Sequence, residues 1–363
     1  MRTRKWPRRI VSVFGGRRVG GSDSGKTEFH IKAKNRVAAP THISSAVSCS
    51  PSHPCSPSHP RCRMMDAVNA MFVGMTFMFV AVPLVLKSMD GTRLPVAVAR
   101  LYAYGKITGG SRPSGVLSVP KRWYKHFYAF SLALSVMAAL ALSDEYAAGT
   151  PWPWAAAWCR RWLWDPVRRT DSSYSSAAAS AAAGMFVLQC ARRTYETYYV
   201  NVFSDTAVGL WYYASGYMHY TGAIVTLLAE APIAAVAGQQ KSSAWEPVRL
   251  AGALLVFAWA YREQWRANVA LAEARKRGGQ VVTHEHIMLT GGLFDLVSSP
   301  QMLTEVIMYG AWYAVLWGGT GWKYVIAFVW GNQFEIALIS HRWYQDKFRD
   351  YPRERKAIIP YVL

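Results

Sequence analysis

Seven stretches of the chain are apolar over about the twenty residues a helix needs to cross a bilayer. They fall at about 67–86, 125–143, 175–200, 206–230, 248–268, 300–317 and 322–340. The first, Ala67–Leu86, contains no charged side chain; the fifth has the shortest unbroken centre, Leu250–Tyr261. Pro83 and Gly216 lie inside such runs, where neighbouring helices can satisfy the freed backbone groups. The pattern predicts an all-α fold, a polytopic membrane helix bundle of about seven transmembrane helices.

Residues 1–65 have a different pattern and are expected to form a disordered basic low-complexity tail ahead of a membrane domain at 66–363. The hexapeptide Cys-Ser-Pro-Ser-His-Pro occurs twice, at 49–54 and 55–60, with no apolar face beside it. Proline removes backbone donors and such composition cannot bury a core. Gly20 to Thr27 matches the phosphate-loop pattern G-x-x-x-x-G-K-[ST]. That chemistry needs a buried strand before the loop and a helix after it, which about sixty polar residues cannot supply, so chance explains the match. No apolar signal-peptide core precedes residue 64, and Met64-Met65 stands directly before the first apolar run as an alternative start.

Composition strengthens the membrane expectation. Hydrophobic residues make up 52% and charged residues 17% of the 363, with 16 Trp, 20 Tyr and 14 Phe. Ordinary globular domains carry about 25% charged residues. Net charge is +20, yet residues 1–65 hold 13 of the 41 basic side chains and only two acidic ones. Five cysteines at 49, 55, 62, 159 and 190 imply no disulfide framework. With seven spans, the loops on the side of the C-terminus hold about three times the Lys and Arg of the opposite loops. The positive-inside rule therefore places the C-terminus in the cytosol. The basic tail would then be lumenal, a conflict that disappears if the working protein begins after it.

Ionisable groups near membrane depth are costly and usually serve a cavity or a partner. They crowd between Arg262 and Tyr361, mixed with Phe294, Trp343 and Phe348. Cations beside aromatic rings suit an anionic cofactor with a flat ring, although a basic collar holding anionic lipid has the same composition. No G-x-G-x-x-G follows a strand and no G-x-S-x-G elbow is present. His284-Glu285-His286 lacks the helical H-E-x-x-H spacing, so no metal site is expected.

Phe294-Asp295-Leu296-Val297-Ser298-Ser299-Pro300 leads into Leu303-Thr304-Glu305. The chain closes on His341 to Pro352, followed by Arg355-Lys356-Ala357-Ile358-Ile359-Pro360. These segments resemble the C-terminal signature of the steroid 5-alpha-reductase family, over about 190–363. Pro120 to Tyr128, Arg192 to Glu196 and Val202-Phe203-Ser204 are similar to its polyprenal-reducing branch. The resemblance covers about 66–363. It implies a seven-helix reductase using NADPH from the cytosolic side, with Asn268, Arg275, His286, Gln301, Glu305, His341 and Tyr344 at the cofactor. The steroid-reducing branches carry a carboxylate near the start of the second helix; here Trp123 to Tyr128 has none, and His126 lies nearest that position.

The resemblance thus implies reduction of the α-isoprene double bond of a long polyprenal in the endoplasmic reticulum membrane, toward dolichol for protein N-glycosylation. Hydride to the β-carbon leaves charge on the aldehyde oxygen, and a donor must meet it. His126 and Tyr195 are the candidates, with His341 a third catalytic position. Partners are the polyprenyl lipid and membrane lipid, without nucleic acid. Two rival expectations are a 3-oxo-steroid 4-ene reductase and a non-catalytic lipid-binding membrane protein.

Overall fold

In a computed structural model of the protein, the described residues are 60–81, 117–147, 151–165, 167, 173–204, 207–232, 243–284 and 287–363. All belong to one compact unit. The Gly20–Thr27 motif, both hexapeptides, Pro83, most of the first basic loop, Glu285 and His286 lie outside them.

Helix starts and stops follow local chemistry. Pro60–Thr76 (α1) continues as a wider turn, Phe77–Ala81. Tyr124–Ala147 (α2) follows a single tight turn at Lys121–Trp123. A short α3, Pro153–Cys159, precedes Ser176–Tyr195 (α4), whose first turn is closed when the Ala178 N–H donates to the Ser175 hydroxyl at 3.1 Å. Leu210–Glu230 (α5), Glu246–Glu273 (α6), the single turn Leu293–Leu296 (α7), Pro300–Val315 (α8) and Trp322–Lys347 (α9) complete the order. Pro in the first turn opens α6 and α8, where its missing N–H is needed by no carbonyl.

Among the described residues, each of the seven long helices falls on one of the seven apolar runs. Strand among the described residues is confined to two small antiparallel pairs: Ser118–Pro120 (β1) with Ala207–Gly209 (β2), and Lys276–Arg277 (β3) with Gln280–Val281 (β4). Among the described residues, two helical stretches, Met64–Ala81 and Lys121–Ala147, are long and apolar enough to cross a membrane.

Packing explains the assembly. The face Ala178, Ala179, Ala182 and Ala183 of α4 is fully buried, and α4 meets α2, which buries Ser131, Ser135, Ala138 and Ala141. Small residues let helix backbones approach closely, the means by which helices associate where there is no water to expel. Gly216 serves the same end: a Cβ there would lie 2.8 Å from the Phe127 ring. Leu255 and Trp259 on α6 are exposed, an apolar surface turned outward.

Candidate active site

One cavity of about 350 Å³ lies among the wider turn after α1 and helices α2, α4, α5, α6, α8 and α9. Arg193, Gln264, Asn268, Gln301 and Glu305 make the lining polar where α4, α6 and α8 meet; Phe79, Phe127, Phe328, Val329 and Ile336 contribute apolar surface, with Asn332 and Gln333 beside them on α9. Its size suits a small-molecule site lined mostly by apolar groups and oriented by a few polar ones.

A buried network holds the polar lining in place. Glu196, fully buried just past α4, pairs with Arg193, lies 3.5 Å from Arg192 Nε, and accepts from Asn268 Nδ2 at 2.9 Å. Arg192 donates to Gln189 Oε1 at 2.6 Å, to Gln264 Oε1 and to the Tyr261 carbonyl. Gln264 in turn donates to the Gln301 carbonyl at 2.9 Å and to the Glu305 carboxylate, which also receives Gln189 Nε2 at 3.4 Å. Arg193 donates to the Tyr128 hydroxyl at 3.0 Å and its guanidinium lies 4.8 Å from that ring centre. Buried charges persist only when paired and hydrogen-bonded in this way.

A second cluster joins the ends of α6 and α9 to the C-terminal segment. His341, just beyond the apolar run 322–340, has Nδ1 at 2.6 Å from the Ser298 hydroxyl and 3.1 Å from the Tyr351 hydroxyl. Its Nε2 lies 3.0 Å from Gln345 Nε2. A hydrogen on Nδ1 and a lone pair on Nε2 satisfy these contacts together, since the Ser298 hydroxyl already donates to the Lys356 carbonyl. The Ser298 N–H holds that same carbonyl at 2.8 Å, tying the start of α8 to the tail of the chain. Burial, with the Lys356 and Arg355 cations, pushes His341 below the usual histidine range. Tyr344 stacks on Phe348 and Tyr351, with ring centres at 5.7 and 6.2 Å. Arg275 donates to the Val202 carbonyl at 3.0 Å; burial lowers its pKa and Tyr344 opposes that shift.

Of the residues singled out in the sequence, Asn268, Gln301 and Glu305 line the cavity. Arg275, His341 and Tyr344 form part of the second cluster and are outside the lining, and His286 lies outside the described residues. His126 and Tyr195 are also outside the lining. His126 contacts the Tyr213 hydroxyl at 3.2 Å, while Tyr195 is half exposed and packs on Tyr199 and Trp265. Helix geometry accounts for His126: residues two apart point about 200° apart, so the face that sends Tyr128 into the cavity turns His126 away. Tyr128, Arg193 and His219 line the cavity without having been singled out as site residues. His219 carried a readable signal, a histidine inside an apolar run.

The donor set fits a nicotinamide cofactor. Gln301 Oε1 is buried without a hydrogen-bond partner among the described residues, and Asn268 lines the same cavity. A ring carboxamide offers the N–H such an oxygen lacks, and the two clusters supply cations and rings for the rest of a dinucleotide.

Residues 204–363 match the family model described as 3-oxo-5-alpha-steroid 4-dehydrogenase. The chain is 34% identical over 278 residues to a polyprenal reductase of Drosophila melanogaster, covering 74% of this chain and 85% of the relative. It is 30% identical over 277 residues to one of Caenorhabditis elegans, with coverage of 73% and 87%. A Homo sapiens polyprenal reductase is 30% identical over 279 residues, with coverage of 72% and 85%.

Proposed function

The chain belongs to the 3-oxo-5-alpha-steroid 4-dehydrogenase family, and on that footing we propose that it reduces the α-isoprene double bond of a polyprenal with NADPH. It is an oxidoreductase acting on carbon–carbon double bonds. The seven long helices then cross the endoplasmic reticulum membrane with the C-terminus in the cytosol, and the product feeds dolichol synthesis for N-glycosylation. The carrying observation is the cavity itself, which combines polar and aromatic or aliphatic side chains in one lining.

Bound there, NADPH supplies a hydride for the β-carbon of the enal. Gln301 and Asn268 hold the ring amide at the polar lining, and the Gln189–Gln264–Glu305 network fixes that lining against rotation. Arg275, Tyr344 and His341 hold the outer part of the dinucleotide. Phe79, Phe127, Phe328 and Ile336 receive the isoprene head. Charge developing on the aldehyde oxygen requires a donor from the cavity wall.

Purified protein in detergent, given NADPH with either polyprenal or a 4-ene-3-oxo steroid, tests the proposal. Polyprenal turnover is the expected result; turnover of the steroid alone would assign the activity that the family description carries instead.

A further inference from the structure

His219 sits on α5, nine-tenths buried, and lines the cavity. Phe72, Tyr220 and Phe328 pack around its ring at centroid distances of 6.2, 4.9 and 5.6 Å. Its Nε2 lies 2.7 Å from the Tyr309 hydroxyl, and Nδ1 is buried with no partner among the described residues. The contact fits the Tyr309 hydroxyl as donor to Nε2. The imidazole hydrogen is then on Nδ1, an N–H donor in aromatic surroundings with nothing to receive it. A buried unpaired donor is destabilising, and an arriving acceptor relieves that cost.

Resting on the polyprenal reading, we infer that His219 Nδ1–H is the hydrogen-bond donor to the substrate aldehyde oxygen, oriented by Tyr309. The hydride pair enters at the β-carbon and the double-bond electrons move through the α-carbon to leave an enolate oxygen. His219 Nδ1–H stabilises that oxygen, and water supplies the proton that then forms the α C–H bond. Tyr124, Tyr128, Tyr212 and Tyr220 bring further hydroxyls to the lining; Tyr128 accepts from Arg193, and His219 Nδ1 is the buried ring nitrogen without a partner among the described residues. The apolar lining binds the isoprene chain whatever its length, while this one donor registers the aldehyde end and thereby the reacting bond.

Two near-isosteric variants separate the roles of the two ring nitrogens. His219→Asn keeps an N–H near the Nδ1 position and loses the Tyr309 bond; His219→Gln reaches Tyr309 and loses the Nδ1 donor. Loss of one oxyanion donor lowers kcat about 10²- to 10³-fold. The assignment predicts that loss in His219→Gln, activity within about tenfold of wild type in His219→Asn, and NADPH affinity unchanged in both. Farnesal, a short enal, gives a second readout: its absorption shifts to the red when bound to wild type and His219→Asn, and does not shift with His219→Gln. Wild-type kcat in His219→Gln, or a large loss confined to Tyr128→Phe, overturns the assignment of His219 alone. A wild-type protein that turns over no polyprenal overturns the functional reading beneath it.

Discussion

The side-chain amide of Asn268 donates to the Glu196 carboxylate across 2.9 Å, joining two helices whose residues stand 72 positions apart. Through that bond the cavity wall is tied to an ion pair sealed from solvent. The fold and the site therefore share one set of buried charges.

Glu196 is the residue on which this arrangement turns. Glu196→Ala leaves Arg193 and Arg192 without their counter-ion in a buried site, and breaking a buried pair costs roughly 3–5 kcal/mol. Thermal unfolding in detergent is expected to show a large drop in Tm. Asn268→Ala, which removes one hydrogen bond to the same carboxylate, should cost about 1.5–3 kcal/mol. An unchanged Tm in Glu196→Ala would remove the network from the account of stability.

Gln301→Leu distinguishes a cofactor contact from a structural one. Gln264 is held by the Gln301 main-chain carbonyl, and the side-chain oxygen has no partner among the described residues, so the fold should melt as before. NADPH binding, followed by fluorescence titration, should weaken about tenfold, the equivalent of one hydrogen bond of about 1.4 kcal/mol. Equal affinity in both proteins would move the nicotinamide away from this wall.

His341 gives a pH dependence with a definite sign. Burial and the neighbouring Lys356 and Arg355 cations hold its folded value below its unfolded value, so the neutral ring is the one the fold accommodates. Its contribution to stability is complete above the ordinary histidine pKa of about 6.5. It is lost as pH falls through that value toward the lower folded one, because the unfolded chain binds the proton first. Melting curves between neutral and mildly acidic pH should show the decline, and His341→Gln should flatten that portion. A steeper decline in the variant would reverse the sign argued here.

Membrane orientation can be read with two reporters. A protease-sensitive tag after Leu363 should be cut in intact microsomes without detergent. A glycosylation acceptor engineered beside Trp245, between α5 and α6, should be modified in the lumen. A protected C-terminal tag would separate the proposed cofactor cluster from its source.

The positions of the seven long helices were legible in the sequence because a chain that must satisfy its backbone groups without water can do so over an apolar run only as a helix. Observed ends differ from the predicted runs by up to seven residues: α6 and α9 extend into polar sequence, α9 to Lys347 past the apolar limit at residue 340, and α1 begins at Pro60, so residues 60–65, expected in the disordered tail, are helical. The terminal motif was legible too, since Ser298, His341 and Lys356 recur in a recognisable order, and the fold joins them through one hydroxyl.

Which face of each helix turns inward could not be read in the same way. A helix that is apolar nearly all round carries no stripe to mark its inner side, so hydrophobic pattern locates it along the chain and leaves its rotation open. Rotation was decided by close packing, such as Phe127 against Gly216, which directs Tyr128 rather than His126 to the cavity. Pairings at long range, Asn268 with Glu196 and His219 with Tyr309, exist only once all the helices have met. The sequence determines where helices form and what chemistry they carry. Their mutual packing selects the side chains that share the cavity, because contact energy depends on rotation and depth, neither of which a one-dimensional pattern contains.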